Sequence, residues 1–228
     1  MAAGEGRRLR PLSERYAKPV LPIDGRPVLA TLLRELAAAG IELVWVVTGH
    51  LAEQVEGLVG DGSGFGVEAR AVRQPEPLGS ADAVLRAIRA GASPPLLVAG
   101  ADTVFTPGDV ARFAERAAGA AGAVAVRRDP APEPPHRHAV RVEDGRVTRL
   151  LDDDPGNPLA GAPLWLLGAA AARFLDPLPG KAPHELASAL ELALEAGERV
   201  AGVEIGKTRD LTSPLDLVEE NFPYLRGL

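Results

Sequence analysis

Between Arg7 and Lys18 the chain places Arg7, Arg8, Arg10, Arg15 and Lys18 against a single acid, Glu14. They follow Ala2-Ala3-Gly4-Glu5-Gly6, where glycine leaves no Cβ to hold a ligand away. Backbone N–H groups around Ala3, Gly4 and Gly6 can therefore face a polyanion, and the cations beyond them supply the opposite charge. The whole chain has net charge -6, so this local reversal singles out an anionic ligand. Read as chemistry, Met1 to Pro22 is a phosphate-handling loop. A lone G-x-G equally describes an ordinary turn, and the weight rests on the full run. Further on, the apolar run Leu96-Leu97-Val98-Ala99-Gly100 reads as a buried strand that delivers Asp102 to the carboxyl end of a sheet, where ligands of open α/β sheets bind. A carboxylate there suits Mg²⁺, which takes one or two protein carboxylates together with phosphate oxygens. His136-x-His138 has the residue type of a metal site, but nothing nearby completes one, and the pair reads as solvent-exposed.

Composition narrows the setting. At 228 residues, 46% of them apolar, the chain supports one core and reads as a single domain over residues 1–228. No apolar run reaches transmembrane length and no signal-peptide core begins the chain, so a cytoplasmic enzyme is expected, with no membrane partner. The absence of cysteine excludes disulfides and thiolate metal sites while leaving open a hard metal on oxygen ligands. The acidic balance, with basic residues clustered locally, argues against nucleic acid as a partner. Lysine occurs only at Lys18, Lys181 and Lys207, beside 22 arginines. Lys18 and Lys207 gain weight from their neighbours. No isolated apolar face marks an oligomer interface, and a homo-oligomer remains open.

The elements that must position these residues follow from periodicity. Apolar residues at Leu29, Leu32, Leu33, Leu36 and Ala37 predict a helix over 28–39, stopped by Gly40. Strands are expected at 41–47, 67–72, 96–100, 123–127 and 200–205. Helices are expected at 50–59, 82–90, 109–118 and 184–196. This alternation argues for an α/β fold with a doubly wound, mostly parallel sheet. The proline-rich stretch 129–135 reads as an exposed loop. Ala139 to Val142, Asp144-Gly145 and Arg146 to Leu151 read as a β-hairpin on a D-G turn.

Gly4-x-Gly6-x-Arg8-x-x-Pro11, followed by Lys18-Pro19-x-x-Pro22 and Gly25-x-Pro27, closely resembles the signature of the sugar-1-phosphate nucleotidyltransferases. That resemblance implies a Rossmann-like fold and the joining of a nucleoside triphosphate to a sugar-1-phosphate with release of pyrophosphate. Residues 1–127 would mainly bind nucleotide, and 128–228, with the hairpin, mainly sugar. Gly60-Asp61-Gly62-Ser63-Gly64-Phe65-Gly66 is similar to a structural connection of the family. Gln74-Pro75-Glu76-Pro77-Leu78-Gly79-Ser80-Ala81 is similar to its base-reading stretch, with Ser80 where Thr is frequent. A carboxamide donates and accepts at once, so Gln74 suits a pyrimidine imide edge, while Gly79 would let the backbone approach the ring. Thr208-Arg209-Asp210-Leu211-Thr212-Ser213-Pro214 resembles the segment whose acid is the second metal ligand, which implies Asp210, with Ser213-Pro214 starting the last helix and Asn221 on it. By the same resemblance Arg8 would clamp the β- and γ-phosphates, Lys18 would meet the α-phosphate, and Asp102 with Asp210 would hold Mg²⁺. Gly161, before Leu164-Trp165-Leu166-Leu167, resembles the segment beside the sugar.

Two departures qualify these expectations. Where many relatives have Glu-Lys-Pro, with the lysine on the sugar phosphate, this chain has Asp153-Asp154-Pro155. Lys207 is the candidate replacement. Some short relatives, including the N-acetylmuramate-1-phosphate uridylyltransferases, also lack that lysine. In addition, relatives precede Ala-Ala-Gly with an apolar central strand, and here only Met1 stands before Ala2. The expectation is an upstream start, or a less stable form with ladder groups unpaired on both neighbouring strands. UTP and dTTP present the same imide edge, so either donor is expected. Rival readings are a cytidylyltransferase acting on an alcohol phosphate or phosphocholine, and a silent relative that binds nucleotide sugars as a regulator.

Overall fold

The structure is a computed structural model and describes residues 1–128, 139–152, 154 and 156–222. His136, His138, the stretch 129–135, Asp153 and Pro155 lie outside the described residues. In chain order the elements are β1 (Pro22–Ile23), β2 (Arg26–Pro27), α1 (Val28–Ala38), β3 (Leu43–Thr48), α2 (Ala52–Val59), β4 (Glu68–Arg73), α3 (Ser80–Arg89), β5 (Leu96–Ala99), β6 (Thr103–Val104), α4 (Asp109–Ala117), β7 (Gly122–Arg128), β8 (Ala139–Glu143), β9 (Arg146–Asp152), β10 (Leu159–Leu167), α5 (Ala169–Ala172), α6 (Leu186–Glu195), β11 (Val200–Glu204), β12 (Arg209–Asp210) and α7 (Pro214–Asn221). Contacts gather them into two units interleaved along the chain. The first holds Met1–Pro77, Gly100–Phe105 and the residues from Thr208 onward; the second holds Leu78–Ala99 and Thr106–Lys207. The sequence reading instead divides the roles once, after residue 127.

In the first unit β3 and β4 pair in parallel, from Leu43 opposite Glu68 to Thr48 opposite Arg73. Parallel strands need a crossover, and α2 supplies it. The amphipathic period expected of α1 is realised, with Val28, Leu29, Leu32, Leu33 and Leu36 buried and Gly40 at φ +81° after its end. Met1 to Ala3 join this unit by backbone bonds. Ala2 N–H donates to Val47 O at 2.7 Å, Ala101 N–H to Met1 O at 2.9 Å, and His50 N–H to Ala3 O at 3.3 Å. Backbone groups of Val47, His50 and Ala101 thus have partners in Met1 to Ala3. β1 and β2 form a hairpin on Asp24 and Gly25, at φ +52° and +70°, the left-handed pair that a two-residue turn demands. β6 and β12 form a short antiparallel ribbon, Thr103 opposite Asp210 and Val104 opposite Arg209. Leu9, Leu21, Ile23, Val28 and Leu211 are buried together against Val104 and Leu217, so one apolar cluster carries the loop, the hairpin and the ribbon.

In the second unit the strand order is β5-β10-β7-β11-β9-β8, and β10 also pairs with β8, so the pairings return on themselves. Helices α4 and α6 pack on these strands, and the α/β class stands. The expectation of a mostly parallel sheet is corrected. Among the described residues of this unit only β7 and β11 pair in parallel, while β10 runs against both β5 and β7. The physical reason is the connection. β10 follows the β8–β9 hairpin without a crossover helix and inserts between two strands of common direction. An apolar run shows that a strand is buried but carries no mark of its direction. The D-G hairpin is realised, with Asp144 and Gly145 both at positive φ.

Candidate active site

The first unit collects Ala3, Gly4, Gly6, Arg8, Lys18, Gln74, Asp102 and Asp210. A Cβ on Gly4 would meet nothing within 4 Å, which leaves that stretch of backbone open to a ligand. Gly6 turns the chain at φ +60°, and its bare Cα lies against Ser13 and Lys18. Short 3-10 turns follow at Arg7–Leu9, Leu12–Glu14 and Lys18–Val20, anchored by the buried Leu9 and Ser13. The α2 region braces the loop from outside it. His50 Nε2 lies 2.6 Å from Ser13 O, Gln54 Oε1 accepts the Ala17 N–H at 2.9 Å, and Gln54 Nε2 donates to Arg15 O at 2.7 Å. Arg8 is exposed at the loop surface.

Lys18 is pulled inward. Its ammonium donates to Asp102 Oδ2 at 2.7 Å, with the lysine side chain 12% exposed and the carboxylate 40% exposed. Asp102 directly precedes Thr103, which faces Asp210 across the ribbon, so both predicted acids arrive at neighbouring positions. Asp210 Oδ2 accepts the Thr212 hydroxyl at 3.1 Å. Below it, Asp216 accepts the amides of Thr212 and Ser213 at 2.6 and 2.7 Å and completes a capping box that starts α7. Burial acts to raise the Asp216 pKa, but the Ser213 and Thr212 donors, with the Lys18 charge nearby, hold it below its ordinary value.

Two carboxylates with hard oxygen donors, one of them exposed and already drawing a cation, fit Mg²⁺, which keeps several waters and needs few protein ligands. Among the described residues no group of three or more His, Cys, Asp or Glu forms a fuller cage.

Gln74 directly follows β4 and is buried, its N–H bonded to Thr48 O at 2.7 Å. The preceding Arg73 is held by Glu56 and Glu53. Gly79, Gly161 and Lys207 belong to the second unit. At Gly79 (φ +105°) a Cβ would stand 2.3 Å from His184 O, so the close approach this glycine permits is made by the His184 backbone. Gly161 lies at the register shift between β10 and β7. Lys207 is exposed, and its carbonyl accepts the Thr106 hydroxyl at 3.0 Å. Beside Asp154 stands a cation that sequence reasoning missed: Arg141 Nη2 lies 3.2 Å from Asp154 Oδ2, with the same guanidinium 3.3 Å from both oxygens of the buried Asp152. His50, Gln54 and Arg141 share no local motif with their partners, whereas Asp216 left a signal as the acid three residues after Ser213.

A cation-bearing glycine loop set on paired carboxylates beside a parallel βαβ unit defines a nucleotide-handling transferase. Residues 1–152 match the Nucleotidyl transferase family, and the chain belongs to it. Low-salt glycan biosynthesis nucleotidyltransferase Agl11 of Haloferax volcanii is 29% identical over 229 residues, covering 97% of this chain and 64% of that protein. CMP-5'-(3-aminopropyl)phosphonate synthase of Streptomyces rubellomurinus is 37% identical over 191 residues, 78% of this chain and 29% of its own length. The chain therefore spans less than two thirds of either relative. The crystal structure of UDP-glucose pyrophosphorylase complexed with UDP-glucose superposes with a TM-score of 0.82 at 21% identity, covering 100% of this chain and 97% of that one, a likeness of fold. Among the described residues no helix is long and apolar enough to cross a membrane.

Proposed function

We propose that this chain transfers a nucleotidyl group from UTP or dTTP to a sugar-1-phosphate such as glucose-1-phosphate, releasing pyrophosphate. The observation that carries the reading is the Lys18 ammonium on Asp102, one residue from the ribbon position that faces Asp210. A phosphate oxygen of the acceptor attacks the α-phosphorus in line, the bond to the β-phosphate breaks, and pyrophosphate leaves. Little covalent chemistry falls to the protein, so catalysis is positioning and charge neutralisation. The Gly4–Gly6 backbone receives the triphosphate, and the exposed Arg8 fork grips its β- and γ-oxygens in pairs. Lys18 exchanges its bond to Asp102 for the α-phosphate. Asp102 and Asp210 would hold Mg²⁺, whose charge would offset that of the triphosphate. Gln74 offers its carboxamide to the base, and Gly161 and Lys207 serve the sugar phosphate.

Pyrophosphate release tests this directly. UTP, dTTP, CTP, ATP and GTP are each supplied with a panel of sugar-1-phosphates and with phosphonates. Release with UTP or dTTP and a hexose-1-phosphate is expected. Release confined to CTP would move the reading to cytidylyl transfer, which the similarity to the phosphonate synthase favours. No release from any pair, with calorimetric binding of a nucleotide sugar, would make the chain a binding protein.

A further inference from the structure

Successive residues of a strand point to opposite faces, so Arg209 leaves β12 on the side away from the Asp210 carboxylate. On that side all three guanidinium nitrogens find partners. Nη1 and Nη2 donate to the two oxygens of Asp24 at 2.6 and 2.9 Å, Nη2 also reaches Glu220 O at 3.2 Å, and Nε donates to the Glu220 carboxylate. Asp24 forms the hairpin turn with Gly25, and that turn has further ties to the end of α7. Gly25 N–H donates to Asn221 Oδ1 at 2.8 Å, and Asn221 Nδ2 donates to Pro22 O at 2.8 Å.

An Asp-Gly turn closes a two-residue hairpin without outside help. A bidentate bond from a residue 185 positions away is therefore not explained by the turn itself. A bidentate fork joined to the partly buried Glu220 also stabilises the fold, and the tests below separate that contribution from placement. What a planar fork adds is geometry. From Asp24 the chain runs back along β1 and the buried Leu21 to Lys18, and Lys18 reaches Asp102. The β6–β12 pairing then returns from Asp102 to Arg209. This is a closed circuit, with the guanidinium as a side-chain link between hairpin turn and ribbon strand.

We propose that Arg209 is a positioning residue, holding the hairpin to the ribbon so that the Lys18 ammonium keeps its place on Asp102. The inference rests on the nucleotidyl-transfer reading of this site, and two independent readouts separate the fates of the two. The first is amide hydrogen exchange on the full chain without metal or nucleotide. In Arg209→Ala and Arg209→Lys, the Leu21, Asp24 and Gly25 amides should exchange about tenfold faster, while Val46 in β3 is unchanged. Arg89→Ala, which removes an exposed ion pair with Asp176 at 3.0 Å, is the control and should leave all of these amides as they are. The second readout is kinetic. Both Arg209 variants should lose about tenfold or more in kcat with the nucleotide KM moved less than about threefold, since the lost placement matters most in the transition state. Lysine keeps the charge and loses the fork, so a purely electrostatic or stabilising role would be rescued by Arg209→Lys. Wild-type exchange in the variants overturns the proposal, as does wild-type kcat in either of them. Should Arg209→Ala not fold, Asp24→Asn opens the same link from the other side and is read in the same way. If the unaltered chain turns over no donor, the functional reading fails, and the exchange experiment alone decides whether the clamp exists.

Discussion

Lys18 and Asp102 neutralise one another at 2.7 Å, so each residue holds the other ready for a ligand of its own. In the proposed reaction the cation would exchange this bond for a phosphate and the anion for a metal, and until then neither charge stands alone at a partly buried position. Replacement of one acid should therefore damage chemistry far more than folding. In Asp102→Asn and Asp210→Asn we expect kcat to fall by about 100-fold or more across a magnesium titration. The thermal midpoint should stay within a few degrees, roughly 2–4 °C, of the unaltered chain. Either variant retaining near-normal turnover would remove that residue from the metal site. Arg141 adds a lesson at the same scale. The position where many relatives carry lysine holds Asp154, and the nearest cation reaches it from across the β8–β9 pairing.

Among the elements, the turn before α3 and the start of α7 make separable predictions. Gly79 has φ +105°, and a methyl group there would lie 2.3 Å from His184 O and 2.5 Å from His184 N. Gly79→Ala should cost roughly 2–3 kcal/mol, from backbone strain together with the displaced His184 segment. Denaturant unfolding measures it, and an unchanged midpoint would mean that the segment shifts freely. At α7, Ser213→Ala removes half of the capping box and should cost about 1 kcal/mol. The other half titrates. The Asp216 carboxyl has a folded pKa below the ordinary 3.8, so the native state binds its proton less readily than the unfolded chain. Its contribution is fully present above the unfolded value and is lost as pH falls through the folded one. Asp216→Asn should therefore lower the melting midpoint at neutral pH, and the gap to the unaltered chain should close as the buffer is taken below that folded value. A gap independent of pH would assign the loss to packing.

For the molecule as a whole, ligand binding should register as stability. A ligand that binds only the folded state stabilises it by about 2.7 kcal/mol at 100 times its dissociation constant. For a chain of this size that corresponds to roughly 5–10 °C in the melting midpoint. We expect UTP or dTTP with Mg²⁺ to produce a rise of this order, the nucleotide without metal to produce less, and Asp210→Asn to abolish the increment due to metal. An equal rise with ATP and GTP would show that Gln74 does not select the base.

Sequence by itself determined the family and most of the elements. The loop glycines, the cations from Arg7 to Lys18, and the two acids stand in an order that marks a nucleotidyltransferase, and α1 or the D-G hairpin follow from period and turn chemistry, which are local properties. The tertiary structure alone decided the partnerships between distant residues. No local pattern could place Lys18 on Asp102, set Asp210 opposite Thr103, bring Arg209 onto Asp24, or put His184 against Gly79. Strand direction belongs with these. β10 has the apolar run of any buried strand, and it runs against β5 and β7 because of where the chain inserts it, a relation between distant segments that hydrophobic period does not encode.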